Sequence, residues 1–281
     1  TQSTSRRQRQ MCIRDRALTK IMFEGPADEL TKTANCQPAL FLHGMALLAV
    51  LKERVPGLHP VATAGLSLGE ITAHTAAGTF SFEEGLRLVA SRGTFMDEAC
   101  AATTGSMAAM IGGDEAAVRQ LAADCDVDVA NFNAPGQIVL SGAVEGIDQA
   151  VGLAKERGIR MGKKLNVAGA YHSRLMAGAQ AKLGETLAGT PVGEPQIPVI
   201  ANFTGAPVSG ADEIRDALTK QVTGSVRWVE SMQHLLGDGS ARFLELGPGK
   251  VLSGLMGRIS KETEVIALED AESLEAAVAS L

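Results

Sequence analysis

The stretch Val61-Ala62-Thr63-Ala64-Gly65-Leu66-Ser67-Leu68-Gly69-Glu70 decides the fold class of this sequence. Small and apolar residues predict a short buried strand over 61–64, and residues 68–77 predict a helix. The turn between them matches the pattern G-x-S-x-G. A serine in such a turn lies in strained backbone and needs small neighbours, which the two glycines supply. The stretch predicts an α/β fold with Ser67 as a nucleophile; an ordinary glycine-rich turn is the alternative.

A second pattern sets residues 105–167 apart. Their periodicity predicts strand, helix, strand, strand, helix and strand, which is the ferredoxin-like order. Elsewhere strands alternate with helices, beginning with an apolar helix over 38–54 that has its proline in the first turn. We therefore predict an α/β-hydrolase-like large domain with a mostly parallel sheet over 17–104 and 168–281, and an inserted ferredoxin-like small domain over 105–167.

Residues 1–16 look foreign to these domains. They are polar, lack periodicity and contain Met11-Cys12-Ile13-Arg14-Asp15-Arg16, which a common sequencing adapter encodes when it is read in frame. We interpret them as a non-native tail and leave them out of the fold. A disordered natural tail is the alternative.

The composition argues against several classes of function. A net charge of −6 is untypical of a general nucleic-acid-binding protein, which would show a basic field. The four cysteines lie far apart and fit no metal-site spacing. We find no apolar run of membrane-spanning length and no signal peptide. We therefore expect a cytoplasmic protein with reduced thiols that holds no metal and binds neither nucleic acid nor a membrane.

A nucleophilic serine needs a base and a donor for the developing oxyanion. The N–H of Leu68, at the start of the following helix, is the natural donor. Among the five histidines, His172 is the best candidate base, because it stands where the chain returns from the small domain to the large one. A lone histidine is more often structural than catalytic, so position alone makes it only a candidate.

Arg92 is the other informative residue. A capping box of Ser81 and Glu84 starts a helix that runs to Ala99, and Arg92 falls within its apolar stripe. A buried guanidinium keeps its charge and requires an anionic partner. That partner is either an internal acidic residue or a substrate carboxylate held in a bidentate fork, and the spacing leaves both open.

Jointly these motifs resemble the malonyl-CoA:acyl-carrier-protein transacylases of fatty-acid synthesis and the related acyltransferase domains of polyketide synthases. The resemblance covers residues 17–281, and the motifs occur in the same order and at compatible intervals. They are Gly65-Leu66-Ser67-Leu68-Gly69-Glu70, Arg92-Gly93, Asn131-Phe132-Asn133-Ala134-Pro135-Gly136-Gln137, Gly169-Ala170-Tyr171-His172-Ser173, Gln221, Val226-Arg227-Trp228 and Glu245-Leu246-Gly247-Pro248-Gly249-Lys250.

The resemblance implies a ping-pong reaction without a permanently bound cofactor. Ser67 attacks the thioester of malonyl-CoA with His172 as general base, and the malonyl group then passes to the phosphopantetheine thiol of an acyl carrier protein. Arg92 pairs with the free malonyl carboxylate. A main-chain carbonyl orients the histidine, and Gln221 matches the family position in that region. A bulky residue at Tyr171 is typical of malonyl-selective members, and we expect a monomer.

Two departures from the family pattern matter. Leu66 stands where many members have histidine. The family also begins with a strand and a Gly-Gln-Gly-Ser-like loop whose glutamine backbone supplies a second oxyanion donor, and nothing in residues 1–37 matches it. We therefore expect that the N-terminal part of the parent protein is missing from this sequence.

Basic residues cluster before and after His172. Acyl carrier proteins are acidic, so a basic rim at the mouth of the site would steer such a partner. A solvated charged face is the alternative. The candidate docking residues are Arg157, Arg160, Lys163, Lys164 and Arg174.

Three other interpretations stay open. A serine hydrolase would share the nucleophile, but it would need an acidic residue to orient the base and has no use for Arg92. The polypeptide as written could be an inactive fragment of a transacylase. The turn Gly247-Pro248-Gly249 could belong to a phosphate-binding module.

Overall fold

The computed structural model describes residues 18–281, and the predicted tail over 1–16 lies outside them. Short strands and helices alternate through most of this range. The helices are α1 (Leu18–Glu24), α2 (Ala27–Thr31), α3 (Thr33–Arg54), α4 (Leu68–Ala76), α5 (Phe82–Ala102), α6 (Glu115–Asp124), α7 (Val144–Leu153), α8 (Ala177–Ala188), α9 (Ala211–Gln221), α10 (Trp228–Gly237), α11 (Val251–Ile259) and α12 (Ala271–Ser280). The strands are β1 (Thr63–Ala64), β2 (Gly105–Ile111), β3 (Asp128–Ala134), β4 (Gln137–Ala143), β5 (Met161–Lys164), β6 (Val199–Ile200), β7 (Pro207–Val208), β8 (Arg242–Leu246) and β9 (Glu264–Leu268).

Strands β2 to β5 form the sheet of a ferredoxin-like unit. All its pairs are antiparallel, and the strand order is β3-β4-β2-β5. Helices α6 and α7 pack on one face, where Val118, Leu121, Leu140 and Ile147 are completely buried. The predicted order of elements is therefore present, although β5 is shorter than the predicted strand.

The sheet of the large domain is in two pieces within the described residues. β1 pairs in parallel with β6, and β6 pairs antiparallel with β7. β8 pairs in parallel with β9. One apolar cluster includes Ala64 beside β6 and Phe243 in β8, so the two pieces share a core. The α/β class is confirmed, although β1 is shorter than the strand predicted over 61–64.

Helix α3 corrects two expectations. It begins at Thr33, so Pro38 lies inside the helix and not in its first turn. The earlier start is supported by tertiary contacts, since the N–H of Ala34 donates to Asp97 Oδ2 on α5 over 2.9 Å. By length and composition α3 could also cross a membrane, contrary to the expectation that no run is long enough. Its Phe41 side chain is completely buried in the core, so packing accounts for its apolar character.

Candidate active site

Ser67 lies in a sharp turn between β1 and α4. Its φ of 57° and ψ of −112° lie outside the usual regions for a residue with a side chain. A Cβ atom at Gly65 would lie 2.0 Å from the carbonyl carbon of Gly69, so only glycine lets the chain approach itself this closely. The turn therefore has the strained geometry that the motif predicts.

His172 contacts Ser67 directly. Its Nε2 lies 2.8 Å from Ser67 Oγ, and its Nδ1 lies 2.8 Å from the backbone oxygen of Gln221. Because a carbonyl oxygen only accepts, Nδ1 carries the proton and Nε2 is free to accept one from the serine. Burial and the nearby charge of Arg92 lower the pKa of His172 to about 4. The imidazole is therefore neutral at physiological pH.

Arg92 is buried on α5, as the apolar stripe predicts. Its guanidinium donates to Gln37 Oε1 over 2.8 Å, to Gln221 Oε1 over 2.9 Å and to Ser67 Oγ over 3.0 Å. Its Nε has no partner within residues 18–281. Burial lowers its pKa only to about 10, so it stays charged at neutral pH. A buried cation whose hydrogen-bond partners are all neutral favours an anionic ligand.

Three buried residues that the sequence analysis does not single out complete the site. Gln37, on α3, is buried and accepts a hydrogen bond from Arg92. Asn202, directly after β6, accepts from the backbone N–H of Ser67 over 2.6 Å through Oδ1. Glu70, on α4, accepts from the side chain of Gln221 over 2.7 Å through Oε2. Gln221 thus orients His172 with its main chain and contacts Arg92 and Glu70 with its side chain.

Leu68 follows Ser67 in the chain, and Tyr171 precedes His172. Leu68 is the first residue of α4, and its N–H donates to no acceptor within the described range 18–281. It is therefore available to an oxyanion. The Tyr171 hydroxyl lies 2.5 Å from Thr33 Oγ1, and burial raises the pKa of the phenol, so the side chain is neutral and held against α3.

The predicted docking residues are all exposed. Within residues 18–281, neither Arg160 nor Lys163 forms an ion pair, whereas the other three bind carboxylates of this chain. The pairs are Arg157 with Asp124 at 2.5 Å, Lys164 with Asp148 at 2.6 Å, and Arg174 with Asp126 at 2.7 Å and Asp128 at 2.9 Å.

The Gly247–Gly249 turn does not offer an anion site. The N-terminus of α11 follows it, and the carboxylate of Glu245 accepts from the N–H groups of Leu252 over 2.9 Å and Ser253 over 2.8 Å. An internal anion thus takes the place that a phosphate would need. No group of three or more metal-binding side chains lies together in the part of the chain described by the structure.

Known proteins are similar to this chain in sequence and fold. The acyl transferase domain family matches residues 4–274. The malonyl CoA-acyl carrier protein transacylase of Bacillus subtilis (strain 168) is 41% identical over 269 residues, covering 94% of this chain and 84% of that protein.

Solved structures agree. The malonyl CoA-acyl carrier protein transacylase from Coxiella burnetii has a TM-score of 0.91 at 33% identity, covering 97% of this chain and 87% of that chain. A complex named PlMCAT:AntF, a type II PKS acyl-carrier protein with its malonyl-transacylase, has a TM-score of 0.91 at 34% identity, covering 97% of this chain and 91% of that chain. The chain therefore belongs to the acyl transferase domain family and, within it, to the malonyl CoA-acyl carrier protein transacylases.

Proposed function

We propose that the protein transfers a malonyl group from coenzyme A to the phosphopantetheine thiol of an acyl carrier protein through an ester on Ser67. The contacts of one atom carry this proposal: Ser67 Oγ lies 2.8 Å from His172 Nε2 and 3.0 Å from a nitrogen of Arg92. A neutral base beside the hydroxyl suits a nucleophile. A fixed cation beside it suits an acyl group that carries its own carboxylate.

In the first half-reaction, His172 Nε2 takes the proton of the Ser67 hydroxyl as Oγ attacks the thioester carbonyl of malonyl-CoA. The tetrahedral intermediate places its negative oxygen near the N–H of Leu68, and Arg92 holds the free carboxylate. The carbon–sulfur bond then breaks, and the leaving thiolate of coenzyme A takes the proton from His172.

The second half-reaction repeats these steps in reverse order. The phosphopantetheine thiol gives its proton to His172 and attacks the ester carbonyl of malonyl-Ser67. The carbon–oxygen bond breaks, and Ser67 Oγ regains a proton from His172. Both halves use only proton and acyl transfer, for which the protein side chains suffice. The acceptor can belong to fatty-acid or polyketide synthesis.

We extend the proposal to the setting of the enzyme. It acts in the cytoplasm as a monomer, takes malonyl-CoA as a substrate and requires no permanently bound cofactor. It binds neither nucleic acid nor a membrane, which the net charge of −6 supports for nucleic acid.

Replacement of Arg92 by alanine tests the proposed substrate. Losing two charge-assisted hydrogen bonds should lower kcat/KM for malonyl-CoA by about 10²-fold or more, whereas acetyl-CoA, which has no carboxylate, should lose less or gain. The measurement is transfer to a holo acyl carrier protein from each thioester. Arg92→Lys should recover part of the malonyl activity, because a lysine supplies the charge without the fork.

Arg87→Ala is the matched control for Arg92, since Arg87 lies exposed on the same helix and its Nε donates to Glu83 O. It should keep the malonyl preference of the wild type. An Arg92→Ala variant that folds and keeps the same ratio of malonyl to acetyl transfer would contradict the proposed carboxylate pairing and would favour a serine hydrolase.

We place the carrier-protein docking surface on the basic rim, and the geometry of β5 suggests which residues matter. Lys163 lies opposite Ala109 and Lys164 opposite Ala108 in the sheet. Ala108 faces the helix-covered core, so the alternation of side chains puts Lys163 on the other face. That face carries an apolar cluster against which Tyr171 packs. Lys163 therefore lies on the face that Tyr171 reaches, and Arg160 is the other of the five residues without an ion pair inside residues 18–281, so we expect these two charges to meet an acidic partner.

Charge reversal of Arg160 and Lys163 to glutamate should raise the KM for the acyl carrier protein about fivefold or more at low ionic strength, with the effect shrinking as salt is added. The KM for malonyl-CoA should not change. The double variant Lys52→Glu with Lys261→Glu, at two other exposed lysines, controls for net charge. An unchanged carrier-protein KM in the first variant would remove the rim from the docking surface.

A further inference from the structure

One acidic side chain lies inside the network that surrounds the nucleophile. Glu70 is 0% exposed, and its Oε2 accepts from Gln221 Nε2 over 2.7 Å and from the backbone N–H of Asn202 over 3.0 Å. Its Oε1 has no partner within residues 18–281. The proposed reaction assigns this carboxyl no role. Because Glu70 lies on the first turn of α4 and is buried, it is not a solvated surface charge, and its burial needs an explanation.

The hydrogen bond from Gln221 to Glu70 connects Glu70 with the base, His172. Gln221 Nε2 also donates to the backbone oxygen of Ser67 over 2.9 Å, and its Oε1 accepts from Arg92. A flipped amide would point its oxygen at two acceptors, Glu70 and the Ser67 carbonyl, and its NH₂ group at the guanidinium. The acceptor at Glu70 therefore helps to fix the amide of the residue whose main-chain oxygen orients His172.

The hydrogen bond from the backbone N–H of Asn202 to Glu70 connects Glu70 with the nucleophile, Ser67. Glu70 accepts from the N–H of Asn202, whose side chain binds the turn on both sides: Oδ1 accepts from Ser67 N over 2.6 Å, and Nδ2 donates to Gly65 O over 2.7 Å. The strained backbone of Ser67 is thus held at its N–H by Asn202 and at its carbonyl by Gln221. Both of these residues bind the same oxygen of Glu70.

We propose that Glu70 is a positioning residue for acyl transfer, because its Oε2 accepts from the side chain of Gln221 and from the backbone N–H of Asn202. The side chains of these two residues hold the Ser67 turn, and the main-chain oxygen of Gln221 contacts His172. The inference rests on the roles of Ser67 and His172 in the proposed function. Hydrogen-bond acceptance at Oε2 is the essential property, not the negative charge. Burial raises the pKa of Glu70 to about 7, and a proton on Oε1 would leave both accepted bonds intact.

Three substitutions of Glu70 separate the effect of its hydrogen-bond acceptor from the effects of its charge and of its packing. Glu70→Ala removes the acceptor and should lower kcat about 10²-fold, as expected when reacting groups lose their alignment, with KM for malonyl-CoA within about threefold because Arg92 remains. Glu70→Gln can place its amide oxygen at the Oε2 position and should keep kcat within about tenfold of the wild type. Glu70→Asp keeps the acid but withdraws the oxygen from both donors, and its kcat should fall about tenfold or more.

His74→Gln is the control for a buried polar change on the same helix, since His74 contacts Thr79 at 3.2 Å and none of the reacting groups. Thermal unfolding followed by circular dichroism reports folding of every variant. If Glu70→Ala does not fold, the comparison of Glu70→Asp with Glu70→Gln decides. Wild-type kcat in folded Glu70→Ala or Glu70→Asp, or a Gln variant no better than these, overturns the inference.

The Ser67→Ala variant separates this inference from the proposed function. If Ser67→Ala still transfers malonyl groups at the wild-type rate, the proposed function itself fails. If Ser67→Ala is inactive while folded Glu70→Ala turns over normally, only the positioning role of Glu70 fails.

Discussion

Replacement of Ser67 by alanine should abolish the covalent malonyl-protein and lower malonyl transfer by at least about 10³-fold, because it removes the hydroxyl that contacts both His172 and Arg92. The wild-type protein, mixed with malonyl-CoA in the absence of a carrier protein, should gain the mass of one malonyl group. Intact-mass spectrometry detects the adduct, and peptide mapping should locate it in the stretch that contains Ser67. Addition of holo acyl carrier protein should then remove it.

Ser231→Ala is the control, since Ser231 is a buried serine whose hydroxyl donates to Arg227 O. Its adduct should form as in the wild type. The same experiment separates the other interpretations. A hydrolase would lose its adduct to water at a rate that the carrier protein does not change. A polypeptide that unfolds cooperatively in urea but gains no malonyl group would be an inactive fragment of the family.

Local patterns are sufficient for two of the site residues. Ser67 is recognisable because a strand, a glycine-flanked turn and a helix follow one another within a short stretch, and this order fixes the backbone. Arg92 is recognisable because a guanidinium in the apolar stripe of a capped helix must be buried. His172 is different. Its contact with Ser67 depends on how the chain returns from the small domain, so without the family resemblance it stays a candidate.

The contacts of Glu70 and Asn202 cannot be recognised from the sequence, although Glu70 belongs to a family motif, because each residue has an ordinary local explanation. An acidic residue in the first turn of a helix complements the helix dipole, so Glu70 in α4 needs no other reason. Asn202 follows β6, which pairs in parallel with β1. The carboxyl ends of parallel neighbours meet at one edge, where ligands commonly bind. The pairing of these two strands would therefore have predicted Asn202 beside the Ser67 turn, but no local pattern reveals that pairing.

In the fold, too, local sequence patterns predict some elements, whereas others depend on tertiary packing. The apolar positions and charged face of residues 211–221 predict a helix from the sequence, and helix α9 has these bounds. Helix α8 is absent from the predictions, although its buried residues Ala179, Leu183 and Leu187 recur every fourth position. Its many small residues weaken that signal. The predicted strand over 61–64 is shorter in the structure, where Val61 is 73% exposed, because pairing with β6 reaches only Thr63 and Ala64.

The pH dependence of the reaction distinguishes a buried neutral histidine from an ordinary one. Burial and Arg92 lower the pKa of His172 to about 4, so the base form predominates above about pH 5. The value of kcat/KM for malonyl-CoA should therefore stay nearly level between about pH 6 and pH 8 and fall as the pH approaches 4. Glu70 adds no step near its pKa of about 7 if, as inferred above, both ionisation states accept at Oε2.

His172→Ala should lower the rate about 10²–10⁴-fold, because the proton of Ser67 must then pass to solvent. The residual rate should rise steadily with pH, since hydroxide replaces the imidazole as the acceptor, and the level region of the wild-type profile should disappear. His74→Gln is the matched control: burial also lowers the pKa of His74 to about 4, yet its removal should leave the profile level. A level profile in His172→Ala would assign the proton transfer to another group, and an inflection near pH 6.5 in the wild type would mean that the reacting histidine is solvated and not held as the contacts with Ser67 and Gln221 require.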